Sequence, residues 1–258
     1  MSELKPFVET VGQGPDVVLL HGWGLHSGIW ELITEQLAEK FTLHLIDLPG
    51  FGRSPLPGGD YSIELLTEQV LKVAPKTAHY IGWSMGGLVA TNIAVNHGQR
   101  VESLITVSSS PRFVQTDDWQ HAMKPNIMDS FCRYLEEDYQ GTIIRFLAIQ
   151  AIGSETQKDD IRKLRDTVFI HGMPASKALR EGLNLLNDVD LREQLKNIDV
   201  PFLRLYGRLD SLVPAKAAED IQALAPQSQH HVFPKASHAP FLSHTDQFVE
   251  KVNEFLVA

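Results

Sequence analysis

The stretch His79–Val95 reads HYIGWSMGGLVATNIAV and sets a serine between two glycines, where one apolar period gives way to another. The run AHYIGW has the length and apolar content of a strand, and MGGLVATNIAV has helical spacing. Gly82-Trp83-Ser84-Met85-Gly86 therefore fits G-x-S-x-G at a strand-to-helix junction, the setting that a nucleophile elbow requires. So sharp a turn lifts the Ser84 hydroxyl above the end of a sheet. It also aims the free N–H groups of the helix's first turn at whatever Ser84 attacks. Gly82, Gly86 and Gly87 leave room for the two segments to close up. The competing reading is a glycine-rich packing turn with an incidental serine, and the strand–helix context weighs against it.

Working outward, the same alternation continues on both sides. DVVLL (Asp16–Leu20) reads as a buried strand, followed by a helix carrying Ile29, Leu32, Ile33 and Leu37, with Ser27 as its expected N-cap. TLHLIDLPGFGRSP supplies a strand ending near Asp47 and a glycine-proline loop. SIELLTEQVLKVA is a helix capped by Ser62, and VESLITVSSSP is a further strand. Strands alternating with helices through short links predict parallel strands with right-handed crossovers. From Arg112 to Asn187 the segments read as helical with no confident strand. The alternation then resumes with VPFLRLYG, PAKAAEDIQALA, SQHHVFP and a last helix bearing Phe248, Val249, Val252, Phe255 and Leu256. The expected fold class is α/β: a mostly parallel sheet flanked by helices, its core formed by residues 1–111 and 188–258. Residues 112–187 form a helical insertion placed as a lid, since loops at the carboxyl ends of parallel strands surround the usual ligand site.

Composition bounds the function. The chain has 258 residues, 43% of them hydrophobic and 21% charged, enough to bury a core without disulfides or structural metal. A net charge of −9 argues against a nucleic-acid surface spread over the whole protein. The single cysteine, Cys132, excludes an intramolecular disulfide. The opening MSELKPFVET lacks the apolar core of a secretory signal, and no stretch approaches a membrane span. The expectation is a cytoplasmic monomer with no membrane anchor. No clustered His, Cys and carboxylate motif suggests a metal site.

A serine hydroxyl needs a base to take its proton and a carboxylate to hold that base's tautomer. In the hydrolase order serine, acid, histidine, the last two follow late strands. LYGRLDSLVP offers Asp210 just past one strand, and FPKASHAPFLSH offers His238 just past the next. Asp210 alone could be a helix N-cap and His238 one of eleven ordinary histidines. His230 and His231 lie within a strand, and His244 falls too close to the final helix. Asp47 is the competing acid, read as a structural aspartate that orders the PGFGRS loop. The oxyanion donors are expected to be the amides of Met85 and Trp23, the latter in LLHGWG, with His21 as an organiser of that loop.

Together LLHGWG, DLPGFGRS, GWSMGGLVA, LYGRLDSLVP and SHAPFLSH resemble the α/β-hydrolase superfamily, in order and over nearly the whole chain. The resemblance implies a Ser84–Asp210–His238 triad and no cofactor. LLHGWGLHSGIW, FTLHLIDLPGFGRS, RFLAIQ and PFLRLYGRLDSLVP are similar, more narrowly, to pimeloyl-[acyl-carrier protein] methyl ester esterases of biotin synthesis. That narrower resemblance implies a substrate carried on acyl carrier protein. The implied substrate-binding set is Trp23, Ser84, Met85, Phe146, Leu147, Ala148, Ile149, Gln150 and His238, with Met128 and Phe131 assisting. Gln157–Val168 reads as an amphipathic helix with Lys158, Arg162 and Arg165 along one stripe and Arg145 nearby in sequence. Those four cations are the expected docking surface for the acidic carrier; the bland reading is a solvated face balanced by Asp159, Asp160 and Asp166. A general short-chain carboxylesterase, a carbon–carbon bond hydrolase and a ligand receptor on the same fold are the alternatives.

Overall fold

The computed structural model describes residues 4–150 and 157–257. The chain runs through β1 (Val8–Gly12), β2 (Asp16–Leu20), α1 (Glu31–Ala38), β3 (Thr42–Ile46), α2 (Ile63–Val73), β4 (Ala78–Trp83), α3 (Met85–Asn96) and β5 (Val101–Val107). Four helices follow: α4 (Pro125–Glu137), α5 (Tyr139–Gln150), α6 (Gln157–Val168) and α7 (Ser176–Asp188). The remainder is β6 (Phe202–Gly207), α8 (Ala217–Leu224), β7 (Gln229–Phe233), α9 (Pro240–Ser243) and α10 (Thr245–Leu256).

The strands form one sheet in the order β1-β3-β2-β4-β5-β6-β7. From β3 onward every neighbouring pair is parallel, and only β1 runs antiparallel, against β3. The middle strands read as nearly unbroken apolar runs because both faces are covered: β6 is buried at every position, and β5 at all but Glu102. Parallel pairing has one consequence for function. The carboxyl ends of β2, β4, β6 and β7 all emerge at one edge, so residues 21–24, 84, 210 and 238 reach the same side of the sheet.

Helices α4–α7 lie between β5 and β6 and pack mainly on one another, α4 against α5 and α7, and α5 against α6. On α6, Leu164 and Val168 are buried while Lys158, Arg162 and Arg165 are exposed, as an amphipathic helix requires. No helix among the described residues is long and apolar enough to cross a membrane.

Three local features differ from the sequence reading. β1 was not expected: VETVG is a short, half-exposed edge strand with a weak periodic signal. Ser27 is not the cap of the first helix. His26 Nδ1 accepts from the Gly28 amide at 3.1 Å and opens a short 3-10 turn, Ser27–Trp30, before α1. Residues 113–123 are not helical but fold back on themselves through bridges Val114–Met123 and Thr116–Trp119. Ser62 does cap α2, accepting from the Leu65 amide at 3.2 Å.

Candidate active site

Ser84 occupies the single residue between β4 and α3, with φ 54° and ψ −119°. A non-glycine residue held there costs about 1–3 kcal/mol and persists only where its surroundings over-determine it. Here they do. The Ser84 amide donates to the Val107 carbonyl at 2.9 Å, and the Ser84 carbonyl accepts from the amides of Gly87 and Leu88 and from the Ser109 hydroxyl. The two close approaches depend on missing side chains. A Cβ on Gly82 would meet the Gly86 carbonyl, and one on Gly86 would meet the Leu20 carbonyl. The backbone thus holds the turn and leaves the hydroxyl out of the scaffold.

Asp210 and His238 meet. His238 Nδ1–H donates to Asp210 Oδ2 at 2.7 Å, with both side chains buried. The other carboxylate oxygen, Oδ1, accepts from the Leu212 and Val213 amides at 2.8 and 3.0 Å. The cap-like use of Asp210 and its contact with histidine are therefore complementary, because each uses a different oxygen. With Nδ1–H committed to the carboxylate, the acceptor lone pair lies on Nε2, which is buried and makes no hydrogen bond. The loop bearing His238 is tied to the serine turn by Trp83, whose Nε1–H donates to the His238 carbonyl at 2.8 Å and whose ring centroid lies 5.7 Å from the imidazole.

The Trp23 loop closes the other side. A Cβ on Gly22 would stand 3.2 Å from Ser84 Cβ, which places this loop against the serine. Among the described residues neither the Trp23 nor the Met85 amide makes a backbone hydrogen bond. The Trp23 indole is fully buried, and Phe146 meets it edge-on at 4.8 Å. Phe131 stacks edge-on against Phe146 in turn, at 5.3 Å. Leu147 is buried and Ala148 half-buried, while the side chains of Ile149 and Gln150 lie outside the described residues. Lys158, Arg162 and Arg165 line one surface depression of about 460 Å³, together with Gln140, Ile144, Ile161, Asp166 and Phe169. Arg145 stands apart from that lining, with its guanidinium 5.2 Å from the Tyr134 ring.

The sequence profile of the alpha/beta hydrolase fold matches residues 15–245. The chain belongs to the alpha/beta-hydrolase fold family. Its relatives include a pimeloyl-[acyl-carrier protein] methyl ester esterase from Aeromonas salmonicida, 51% identical over 250 residues, or 96% of this chain and 98% of that one. Another protein of the same name, from Klebsiella pneumoniae, is 48% identical and covers 94% of each chain. The narrower resemblance read from the motifs therefore extends along nearly the full chain. Among solved structures, an esterase from Exiguobacterium antarcticum superposes with a TM-score of 0.89 at 24% identity, covering 99% of this chain and 96% of that one. The last likeness speaks to the fold alone.

In this alpha/beta hydrolase two further histidine and aspartate candidates are occupied elsewhere. His21 follows β2 at the same sheet edge, but its Nδ1–H donates to the Gly22 carbonyl at 2.8 Å and its Nε2 accepts from the Leu48 amide at 2.8 Å. Burial pushes its pKa down to about 4, against the smaller opposing pull of Asp47. Asp47 Oδ1 accepts from the Ser27 amide at 2.7 Å, and its Oδ2 accepts from the amide and Nε of Arg53. Burial works to raise the Asp47 pKa, but His21 and the donors from Ser27 and Arg53 outweigh it and hold the carboxyl below its ordinary value. Both residues order the loops beneath the site, as their sequence reading had it.

A pH dependence follows from His21. Unfolded, the imidazole takes up its proton near pH 6.5; folded, it resists until about 4. Between those values the unfolded state binds more protons, so acid destabilises the fold, by up to about 3 kcal/mol across the window. Urea unfolding between pH 7.5 and 4.5 measures this. His21→Asn is expected to start less stable at neutral pH but to show a flatter profile.

Three supports carried little sequence signal. The Trp83 indole and the Ser109 hydroxyl reach across strands to partners far along the chain. Gly207 ends β6 where a Cβ would run into the Ser237 carbonyl, next to the imidazole. A glycine closing a strand was the one visible hint of that approach.

Proposed function

We propose that this chain is a serine carboxylesterase that hydrolyses the methyl ester of pimeloyl-[acyl-carrier protein], releasing methanol and pimeloyl-[acyl-carrier protein] in biotin biosynthesis. The observation that carries the chemistry is the buried Asp210–His238 contact with Nε2 unbonded, on a loop that Trp83, the residue before Ser84 in its strained strand-to-helix turn, ties to that turn. The substrate rests on the 51% identical relative of that name.

The reaction takes two halves. His238 Nε2 accepts the Ser84 proton as Oγ attacks the ester carbonyl, and the amides of Trp23 and Met85 hold the oxyanion. His238 then protonates the departing methoxide. Water, deprotonated by the same nitrogen, attacks the acyl-serine; its collapse frees the carboxylate and returns the proton to Ser84. Asp210 keeps the imidazole in the productive tautomer and supports its positive form. Helices α4–α7 serve as the lid, and Phe146, Leu147 and their neighbours line the acyl path.

The carrier is acidic, and the α5–α6 depression edged by Lys158, Arg162 and Arg165 is the surface that suits it, with Arg145 to one side. Steady-state kinetics with methyl pimeloyl-carrier beside p-nitrophenyl esters test the reading. A clear preference in kcat/KM for the carrier-bound ester supports it; equal values would favour a general short-chain carboxylesterase. Reversing charge at Lys158, Arg162 and Arg165 together should cut kcat/KM for the carrier-bound ester by about 10-fold or more and leave small esters unaffected. Equal losses on both would remove the docking role.

A further inference from the structure

Helix α7 packs against the Trp23 indole. The Trp23 Nε1–H donates to the Leu179 carbonyl at 2.8 Å, so a main-chain carbonyl of α7 holds the indole. One turn on, Gly182 lies against the same ring. A Cβ there would stand 2.7 Å from Trp23 Cδ1, 3.1 Å from Trp23 Nε1 and 3.4 Å from Met85 Sδ. Trp23 and Met85 are the two residues whose amides the proposed mechanism assigns to the oxyanion. Both side chains are fully buried, so neither can swing aside without disturbing its close-packed neighbours. The indole is also met edge-on by Phe146 of α5.

We propose that α7 sets the oxyanion hole through the Trp23 indole, with Leu179 and Gly182 as positioning residues that hold the two donor-bearing residues at their working separation. This inference rests on the serine-esterase reading above and deepens it. Oxyanion stabilisation is steep in geometry: the donors must fall within hydrogen-bond range of an oxygen that exists only in the transition state. A contact that pins the ring of one donor residue and touches the side chain of the other is placed to govern that separation. The start of α7 is tied separately to the loop between β3 and α2. The Ala175 amide donates to the Gly50 carbonyl at 2.8 Å, and Lys177 Nζ donates to the Gly59 carbonyl at 2.6 Å. The start of the helix is thereby a fixed reference for the ring rather than a free edge.

Gly182→Ala is the direct test. Alanine is the better helix former, so α7 itself is not weakened, and the added methyl must displace the indole. Expected is a fall in kcat of about 10–100-fold with KM within about threefold and Tm within a few degrees of wild type. Affinity for a trifluoromethyl ketone, which forms a reversible tetrahedral adduct with the serine, should fall in parallel with kcat. A role in packing alone would move Tm and leave that parallel absent. Trp23→Phe removes the Leu179 bond and should lower kcat by itself, yet in the Gly182→Ala background it makes room for the methyl, so the double variant should lose less than the two singles combined. Unchanged kcat in Gly182→Ala overturns the proposal, as does a rise in KM at constant kcat, or losses that simply multiply in the double variant. Should Gly182→Ala fail to fold, Trp23→Phe decides alone: a loss of kcat and inhibitor affinity at constant KM supports the proposal, and wild-type values overturn it. Ser84→Ala runs beside these variants. If it retains turnover, the serine reading fails; if it is inactive while Gly182→Ala behaves as wild type, only the α7 inference fails.

Discussion

Replacing Ser84 with alanine is expected to lower ester hydrolysis by about 10⁴–10⁶-fold while leaving the protein folded. The size of the effect follows from the absence of any second nucleophile in the scheme: without Oγ no acyl-enzyme forms, and only binding and the oxyanion donors remain. That the fold survives follows from the turn's construction. Its hydrogen bonds run through the Ser84 amide and carbonyl, to Val107, Gly87, Leu88 and Ser109, and alanine keeps all of them. Ser84→Gly sharpens the distinction. Glycine adopts φ 54° without the Cβ penalty, so it should be equally inactive but more stable, by up to about 1 kcal/mol, offset in part by its looser unfolded chain. Progress curves with a p-nitrophenyl ester and thermal melts of the three proteins check this. Retained turnover in either variant would remove Ser84 from the mechanism.

The second large effect separates two buried aspartates. Asp210→Asn should cost about 10⁴-fold in kcat, because an amide at that position can present an N–H to His238 and reverse the imidazole tautomer. Stability should change little, since the amide oxygen can still accept from the Leu212 and Val213 amides as Oδ1 does now. Asp47→Asn should do the opposite. All the hydrogen bonds recorded at the Asp47 carboxylate are accepted from donors, the amides of Ser27 and Arg53 and the Arg53 guanidinium. An Asn NH₂ would face one of those donors and leave it unpaired, costing about 2–4 kcal/mol and lowering Tm. Activity measured well below that Tm should stay within about tenfold of wild type. Measuring kcat and Tm for both variants gives the crossed pattern. A larger catalytic loss at Asp47 would move the acid to the end of β3.

The legibility of this molecule was uneven, for physical reasons. Strands such as LITV and FLRLY were plain because burial on both faces leaves an apolar run. The α6 helix was plain because one face is dry and the other wet. β1 was missed because an edge strand with half its side chains in solvent needs neither pattern. The 113–123 fold-back was missed because isolated bridges leave no period. In the 3-10 turn before the first helix, His26 caps where Ser27 was expected to cap the helix itself, since an imidazole nitrogen can accept an amide hydrogen bond as a hydroxyl does.

By itself the sequence determined the α/β alternation, the serine turn with its crowding glycines, and two loops from which an acid and a base could come. Those are local properties, written in the spacing of a dozen residues. Only the tertiary structure decided which histidine is available. His21 and His238 both follow strands at the same edge, yet the nitrogens of His21 are engaged by Gly22 and Leu48, whereas Nε2 of His238 is left unbonded. Strand order decided that Asp210 reaches His238, because β6 and β7 lie side by side. It also took packing to bring Gly182 of α7 onto Trp23, a contact between residues far apart in sequence that no local pattern encodes.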